Sequence, residues 1–212
     1  MSQTPGKFIT VEGGEGAGKS SNIAFIRKYL EEQGIDVIYT REPGGTPLGE
    51  EIRDLLLGHK HDGMSDETEL LLMFAARAQH LHQVILPALR QGQWVLCDRF
   101  TDASFAYQGG GRGVAWEKIE NLQTWLQGDL RPDLTLLLDL SVEVGMDRAS
   151  KRSTPDRFES EALSFFEKVR DAYLRIAKEQ PERVKIVDAG QSLETVQHQI
   201  KSILQHYLTN TN

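Results

Sequence analysis

The segment Gly13-Gly14-Glu15-Gly16-Ala17-Gly18-Lys19-Ser20 fits G-x-x-x-x-G-K-[ST], a spacing suited to holding a polyphosphate. Glycines let consecutive backbone N–H groups converge on phosphate oxygens, and a helix starting at the end of the run adds partial positive charge. Lys19 is placed to reach the β- and γ-phosphates, and the Ser20 hydroxyl to ligate Mg²⁺, with Ser21 following it. The alternative is an ordinary glycine-rich turn, and the flanks decide against it. Phe8-Ile9-Thr10-Val11 reads as a short buried strand, and Ile23, Phe25, Ile26 and Leu30 recur at near-helical spacing. Strand, glycine loop and helix in that order predict a nucleoside triphosphate site.

Other candidates surround this loop. Trp94-Val95-Leu96-Cys97-Asp98 is an apolar run ending in a carboxylate, the form of a group that helps hold a Mg²⁺–phosphate unit. Asp139, after Leu136-Leu137-Leu138, has the same form; Asp98 is preferred because Arg99 follows it with a phosphate-binding guanidinium. Either carboxylate could instead cap a strand-end turn. Arg41-Glu42-Pro43-Gly44-Gly45-Thr46-Pro47 follows another strand candidate, and Arg53 on the next helix lies within reach of an anion or else is a solvated charge. Phe74 and Arg77, three apart, share a helical face: a ring to stack on a planar base and a donor to its carbonyl oxygens. On spacing alone the core reading of Phe74 is the stronger one, since an aromatic in an apolar helix is usually core. Arg148 and the run Lys151-Arg152-Ser153-Thr154-Pro155-Asp156-Arg157 form a basic loop, either a solvated hinge or a lid that closes on a polyphosphate.

These residues need a frame, and the pattern supplies one. Strand candidates Phe8–Val11, Val37–Thr40, Trp94–Cys97, Leu134–Leu138 and Val184–Val187 are short, mostly apolar runs, as for parallel strands covered on both faces. Helical patterns lie between them at Leu48–Leu57, Asp66–Gln91, Trp116–Gln127, Glu143–Lys151, Glu161–Lys178 and Leu193–Leu208. Such alternation predicts an α/β fold, a doubly wound five-stranded parallel sheet flanked by helices, with ligands at the carboxyl ends of the strands. Gly109-Gly110-Gly111 and Ser150–Asp156 are expected to be mobile loops. All 212 residues are expected to form one domain, with a lid at about 148–157. A net charge of −7 argues against a nucleic-acid-binding surface, and the single cysteine, Cys97, excludes disulfide scaffolds and zinc clusters. The polar stretch Met1–Gly6 lacks the form of a signal peptide, and no apolar run approaches the roughly 20 residues of a membrane span, so the expected location is the cytoplasm.

Taken together the motifs resemble the thymidylate kinase family, bacterial branch, of the P-loop nucleoside monophosphate kinases. The resemblance covers nearly the whole chain. Its most specific pieces are Val11–Ser20, Thr40-Arg41-Glu42-Pro43-Gly44-Gly45-Thr46, Asp98-Arg99-Phe100 and Ala106-Tyr107-Gln108-Gly109-Gly110-Gly111-Arg112-Gly113. It implies transfer of the γ-phosphoryl of Mg·ATP to dTMP, giving dTDP. It implies that Glu15 binds the deoxyribose 3′-hydroxyl and that Arg53 and Arg99 hold the dTMP phosphate, with Glu42 and Pro43 lining the pocket. Phe74 is implied to stack on thymine and Arg77 to donate to a thymine carbonyl. Ser104 and Gln108 fall at or near the base, and Tyr107 packs beside C2′ against a ribose hydroxyl. The family also implies a homodimer that pairs helices, for which the 66–91 helix is the candidate here.

One departure has a mechanistic consequence. In one branch of the family an arginine inside the glycine loop stabilises the transferring phosphoryl, and here that position is Gly16. The expectation is therefore that Arg152, supported by Arg148 and Arg157, supplies the charge from the lid. Two other readings compete with this one. A GTP-driven switch would carry an Asn-Lys-x-Asp sequence, which this chain lacks; a kinase acting on dUMP or dCMP would differ in pocket geometry that a sequence does not give.

Overall fold

The computed structural model describes residues 6–61, 63–151 and 156–211, so Arg152 lies outside the described residues. Five parallel strands, β1 (Phe8–Glu12), β2 (Val37–Arg41), β3 (Trp94–Asp98), β4 (Leu134–Asp139) and β5 (Val184–Asp188), form one sheet in the order β2-β3-β1-β4-β5. The central strands are the continuously buried ones: every residue of β1 is buried, as is β4 up to Leu138. The edge strands β2 and β5 alternate instead, leaving Tyr39 44% and Ile186 51% exposed, because one flank of an edge strand has no covering element. In register, Val11 and Arg41 both pair with Asp98, so the carboxyl ends of the three strands that carry the candidate residues finish level.

Two apolar layers sandwich the sheet. One face packs on α1 (Lys19–Glu32) and α9 (Leu193–Thr211) through Ile23, Ile26, Leu30, Val196, Ile200 and Leu204. The other carries α3 (Asp66–His80), α4 (Leu86–Arg90), α5 (Thr101–Ser104), α6 (Trp116–Gln127) and α8 (Leu163–Glu179), with α2 (Pro47–Leu57) stacked outside on α3. The helix starts follow local chemistry. Thr46 caps α2 by accepting from Gly49 N at 3.0 Å, with Pro47 in the first turn. Ser65 caps α3 by accepting from Thr68 N at 3.2 Å, and Asp66, Glu67 and Glu69 fill its first turn. By contrast α1 starts at Gly18 with no side-chain cap, so its first N–H groups are left to a ligand.

Two expectations need correction. The 66–91 segment is not one uniform helix: a π-helical turn at Leu81–Ile85 separates α3 from α4, and Leu81, Ile85 and Ala88 are buried beneath the sheet. The Gly109-Gly110-Gly111 run is not a mobile loop but the end of a π-helical segment, Phe105–Gly111, packed on α8. A Cβ on Gly110 would lie 2.7 Å from the Lys168 carbonyl oxygen, so glycine here serves close packing rather than flexibility. Among the described residues no helix is long and apolar enough to cross a membrane.

Candidate active site

The glycine loop leaves the central strand and is braced from behind. Gly13, Gly16 and Gly18 take φ of +140°, +69° and +82°, conformations that disfavour side chains. At Gly16 the constraint is doubled, since a Cβ would lie 2.0 Å from the carbonyl oxygen of Gly145 on α7 (Val142–Ser150). The chain therefore cannot carry an arginine there. Lys19 folds back over the loop, donating to the carbonyls of Gly13 at 3.0 Å and Gly14 at 2.9 Å. Burial lowers its pKa and the neighbouring Arg99 cation adds to this, with Glu15, Asp98 and Glu12 opposing. Ala17 is buried beneath the loop, whereas Ser20 and Ser21 are exposed at the head of α1.

Next to the loop opens a cleft, about 580 Å³ with its solvent-open mouth included, lined by Glu15, Glu42, Pro43, Arg53, Leu57, Met73, Arg77, Arg99, Phe100, Ala103, Ser104, Tyr107, Gln108, Asp156 and Phe158. One wall is a charged cluster. Arg99 NH2 donates to Glu15 Oε1 at 2.5 Å and to the Tyr107 hydroxyl at 2.7 Å, and that hydroxyl donates to Glu15 at 2.8 Å. Burial alone would raise the Glu15 carboxyl, but Arg99, Lys19 and these hydrogen bonds hold it down at about 2. Arg99 adopts φ +65°, held by its N–H on the Val11 carbonyl at 3.0 Å and by Phe100 N on Glu12 Oε1 at 2.7 Å. Arg53 donates to the Pro43 carbonyl at 2.9 Å. Its pKa is lowered by burial and then by the like charges of Arg41 and Arg99. Cations gathered in this way await an anion.

The far wall is built for a planar, polar group. Arg77 Nε donates to Glu42 Oε2 at 2.7 Å, and NH2 donates to Ser104 Oγ at 3.1 Å and the Phe100 carbonyl at 3.2 Å. NH1 of Arg77 is buried without a partner among the described residues. Gln108 donates to Glu69 Oε1 at 2.9 Å.

The thymidylate kinase family model matches residues 11–200. The chain belongs to the thymidylate kinase family. It is similar to the thymidylate kinases of Pseudomonas putida, at 60% identity over 94% of this chain and 95% of that protein, and of Alkalilimnicola ehrlichii, at 57% over 97% and 95%. Among solved structures it is similar to the thymidylate kinase of Ehrlichia chaffeensis, with a TM-score of 0.77 at 35% identity, over 95% of this chain and 99% of that one.

Of the candidate residues, the fold brings Glu15, Glu42, Pro43, Arg53, Arg77, Arg99, Ser104, Tyr107 and Gln108 around one cavity. Phe74 is not among them. It is 2% exposed, packed in the core with Leu70 and Phe105, and the Arg77 guanidinium lies over its ring at 4.5 Å. Met73 takes the pocket wall instead, because residues four apart lie closer in angle on a helix than residues three apart. That spacing from Arg77 was readable in the sequence. So was Phe158, which follows Arg157, but its inward fold depends on long-range contacts.

Arg157 is likewise no swinging cation. Its N–H and Nε bind the carbonyls of Leu57 at 3.1 Å and Leu56 at 2.8 Å, and NH2 binds buried Glu69 at 2.6 Å. Arg148 NH1 reaches the Ala189 carbonyl at 3.2 Å, just after β5. The two rival carboxylates separate cleanly. Asp139 is taken up by a two-pronged ion pair with Arg170, at 2.7 and 2.9 Å. Asp98 Oδ1 is buried and without a partner among the described residues, an acceptor in need of a ligand.

Proposed function

We propose the following assignment of roles for the reaction. As a member of its family the chain phosphorylates dTMP to dTDP with the γ-phosphoryl of ATP, a step in dTTP synthesis. ATP phosphates lie on the loop Gly13–Ser21, with Arg148 beside the nucleoside end. The dTMP phosphate sits between Arg53 and Arg99, its 3′-hydroxyl at Glu15, its sugar against Tyr107, and its base over Met73 toward Arg77, Ser104 and Gln108. One observation carries this reading: Glu15 belongs to the glycine loop and also lines the cavity that Arg53 and Arg99 make cationic. Donor and acceptor sites therefore share a wall, as an in-line transfer requires.

The acceptor oxygen belongs to a phosphate already ionised, so no strong general base is needed and catalysis rests on alignment and charge neutralisation. Lys19 and Arg99 supply fixed positive charge. The oxygens of Ser20 and Asp98 suit a hard cation, and the partnerless Asp98 Oδ1 supports Mg²⁺ there. When bound, Mg²⁺ would neutralise phosphate charge. Arg152 is the proposed lid cation. Residues 1–212 act as one kinase domain, cytoplasmic, with a lid at about 148–157 whose far root Arg157 anchors. We assign the homodimer interface to α3 with α2, narrower than 66–91, because Leu48, Leu55 and Leu71 are exposed there, whereas the apolar side chains of α4, Leu86, Ala88 and Leu89, pack on the core.

A coupled ADP-release assay across dTMP, dUMP, dCMP, dGMP and AMP tests the acceptor, with dTMP expected to have the highest kcat/KM. Better turnover of a purine nucleotide would refute the pocket assignment. Lys19→Ala should lower kcat by roughly 10²–10³-fold with the fold retained, and Arg152→Ala should lower kcat with little change in the KM for ATP.

A further inference from the structure

Behind the acceptor pocket lies a row of buried polar side chains to which the roles above give no task. His80, at the end of α3, is fully buried. Its Nδ1 stands 2.9 Å from Glu42 Oε1 and its Nε2 stands 2.6 Å from Thr40 Oγ1. The other Glu42 oxygen accepts from Arg77 Nε at 2.7 Å. With Nε on Glu42 and NH2 on Phe100 and Ser104, Arg77, which lines the cavity, has NH1 buried and without a partner among the described residues. We infer that His80 is a positioning residue for nucleobase recognition: it holds Glu42 from behind, and Glu42 in turn fixes the Arg77 guanidinium with NH1 presented to the base. This rests on the assignment of Arg77 to the base of dTMP.

The physical case is one of torsions. A carboxylate turns about a broad sp³–sp² torsion, so one donor on one oxygen leaves it free to swing. Donors on both oxygens, from two different helical positions, hold it in one plane. A carboxylate offers acceptors alone, so Nδ1 of His80 carries a ring proton, and Nε2 shares a hydrogen bond with the Thr40 hydroxyl, which can serve as either donor or acceptor. The ring is itself held by packing: a Cβ on Gly45 would lie 2.6 Å from His80 Nε2, so the Gly44-Gly45 backbone closes against it. The row thus ties α3, which carries Arg77, to the end of β2, which carries Thr40 and leads into Glu42. Hydroxyl, imidazole and carboxylate stand in the order of a nucleophilic triad. With Thr40 6% and His80 0% exposed, no substrate reaches them, and the arrangement serves geometry rather than bond-making.

Two substitutions of the same residue separate positioning from packing. In His80→Asn the amide nitrogen replaces Nδ1 and keeps the bond to Glu42; in His80→Gln the amide extends toward Thr40 and the bond to Glu42 is lost. Both remove the ring, so both should lower Tm by a similar amount. His80→Gln should raise the KM for dTMP roughly ten-fold, the loss expected for one hydrogen bond to a charged group. His80→Asn should stay within about two-fold of wild type, and neither should move kcat or the KM for ATP. Thr40→Val, which keeps the shape and removes the hydroxyl, should raise the KM for dTMP in the same direction and serves if the His80 variants do not fold. Arg77→Ala is the control. If it leaves the KM for dTMP unchanged, the base-site reading itself fails. If it raises KM while His80→Asn and His80→Gln remain equal to each other, or Thr40→Val stays at wild type where those two do not fold, the positioning role alone is overturned.

Discussion

Converting Glu12 to glutamine should remove a pH dependence of stability whose direction the structure dictates. Glu12 ends β1 directly beneath the glycine loop and has no exposed surface. Oε1 accepts from Phe100 N at 2.7 Å, and Oε2 is bonded to the Tyr173 hydroxyl at 2.8 Å. Burial pushes its carboxyl from 4.5 up to about 8, and nearby Asp102 adds to the rise, while the Tyr173 and Phe100 hydrogen bonds and Arg99 partly oppose it. Below pH 4.5 the folded and unfolded chains both hold the proton, and the stability is fully present. Between 4.5 and about 8 the unfolded chain ionises while the folded one does not, so stability falls as pH rises; above about 8 the loss is complete. At about 1.4 kcal/mol per pKa unit the full loss is at most about 5 kcal/mol, and a few kcal/mol should be measured after local relaxation. Glutamine keeps the shape and the acceptor for Phe100 N–H and cannot ionise. The Tm of Glu12→Gln minus that of wild type should therefore climb by roughly 5–10 °C between pH 5 and 8, at about 2–4 °C per kcal/mol for a chain of this size. Scanning calorimetry at constant ionic strength measures it, and taking the difference cancels the other titrations. A difference that stays flat across this range would refute the account of Glu12 as a buried, proton-holding carboxyl.

Three further outcomes follow from the site. Phe74→Ala should lower stability by about 3–5 kcal/mol with the KM for dTMP near wild type, whereas Met73→Ala should raise that KM; the reverse pattern in melts and kinetics would return the stacking role to Phe74. Arg157→Ala strips one donor from buried Glu69 and should cost about 1–3 kcal/mol of stability while kcat stays within a few-fold; a collapsed kcat at unchanged Tm would put Arg157 over the phosphates. Tyr107→Ala should relax discrimination between dTMP and ribothymidine monophosphate, whereas Tyr107→Phe keeps the steric block and loses the hydroxyl that bridges Arg99 and Glu15. Equal discrimination in Tyr107→Ala and wild type would move the sugar gate elsewhere.

The sheet and the phosphate loop were legible in the sequence because both are written locally. A parallel strand buried on both faces must be an apolar run, and a loop that wraps phosphate must be glycine-rich between strand and helix; neither depends on a distant partner. Family resemblance supplied the pocket roles, and the fold gathers the residues at Glu15, Glu42, Arg53, Arg77, Arg99 and Tyr107 around one cavity. What tertiary structure decided is everything that turns on which side of an element faces what. Phe74 and Met73 are adjacent on the same helix, and about 100° of helical rotation sends one into the core and the other to the cavity. Asp98 and Asp139 end their strands alike, yet Arg170, from a helix thirty-one residues further on, occupies Asp139 and leaves Asp98 open. The glycine triplet at 109–111 looks flexible until Lys168 and Phe165 are packed against it. Arg157 looks like a lid charge until Glu69, eighty-eight residues away, is found beneath it. Local sequence specifies backbone conformation and donor type; partners arrive through contacts distant in the chain, and those decide whether a charged or aromatic side chain serves the ligand or the fold.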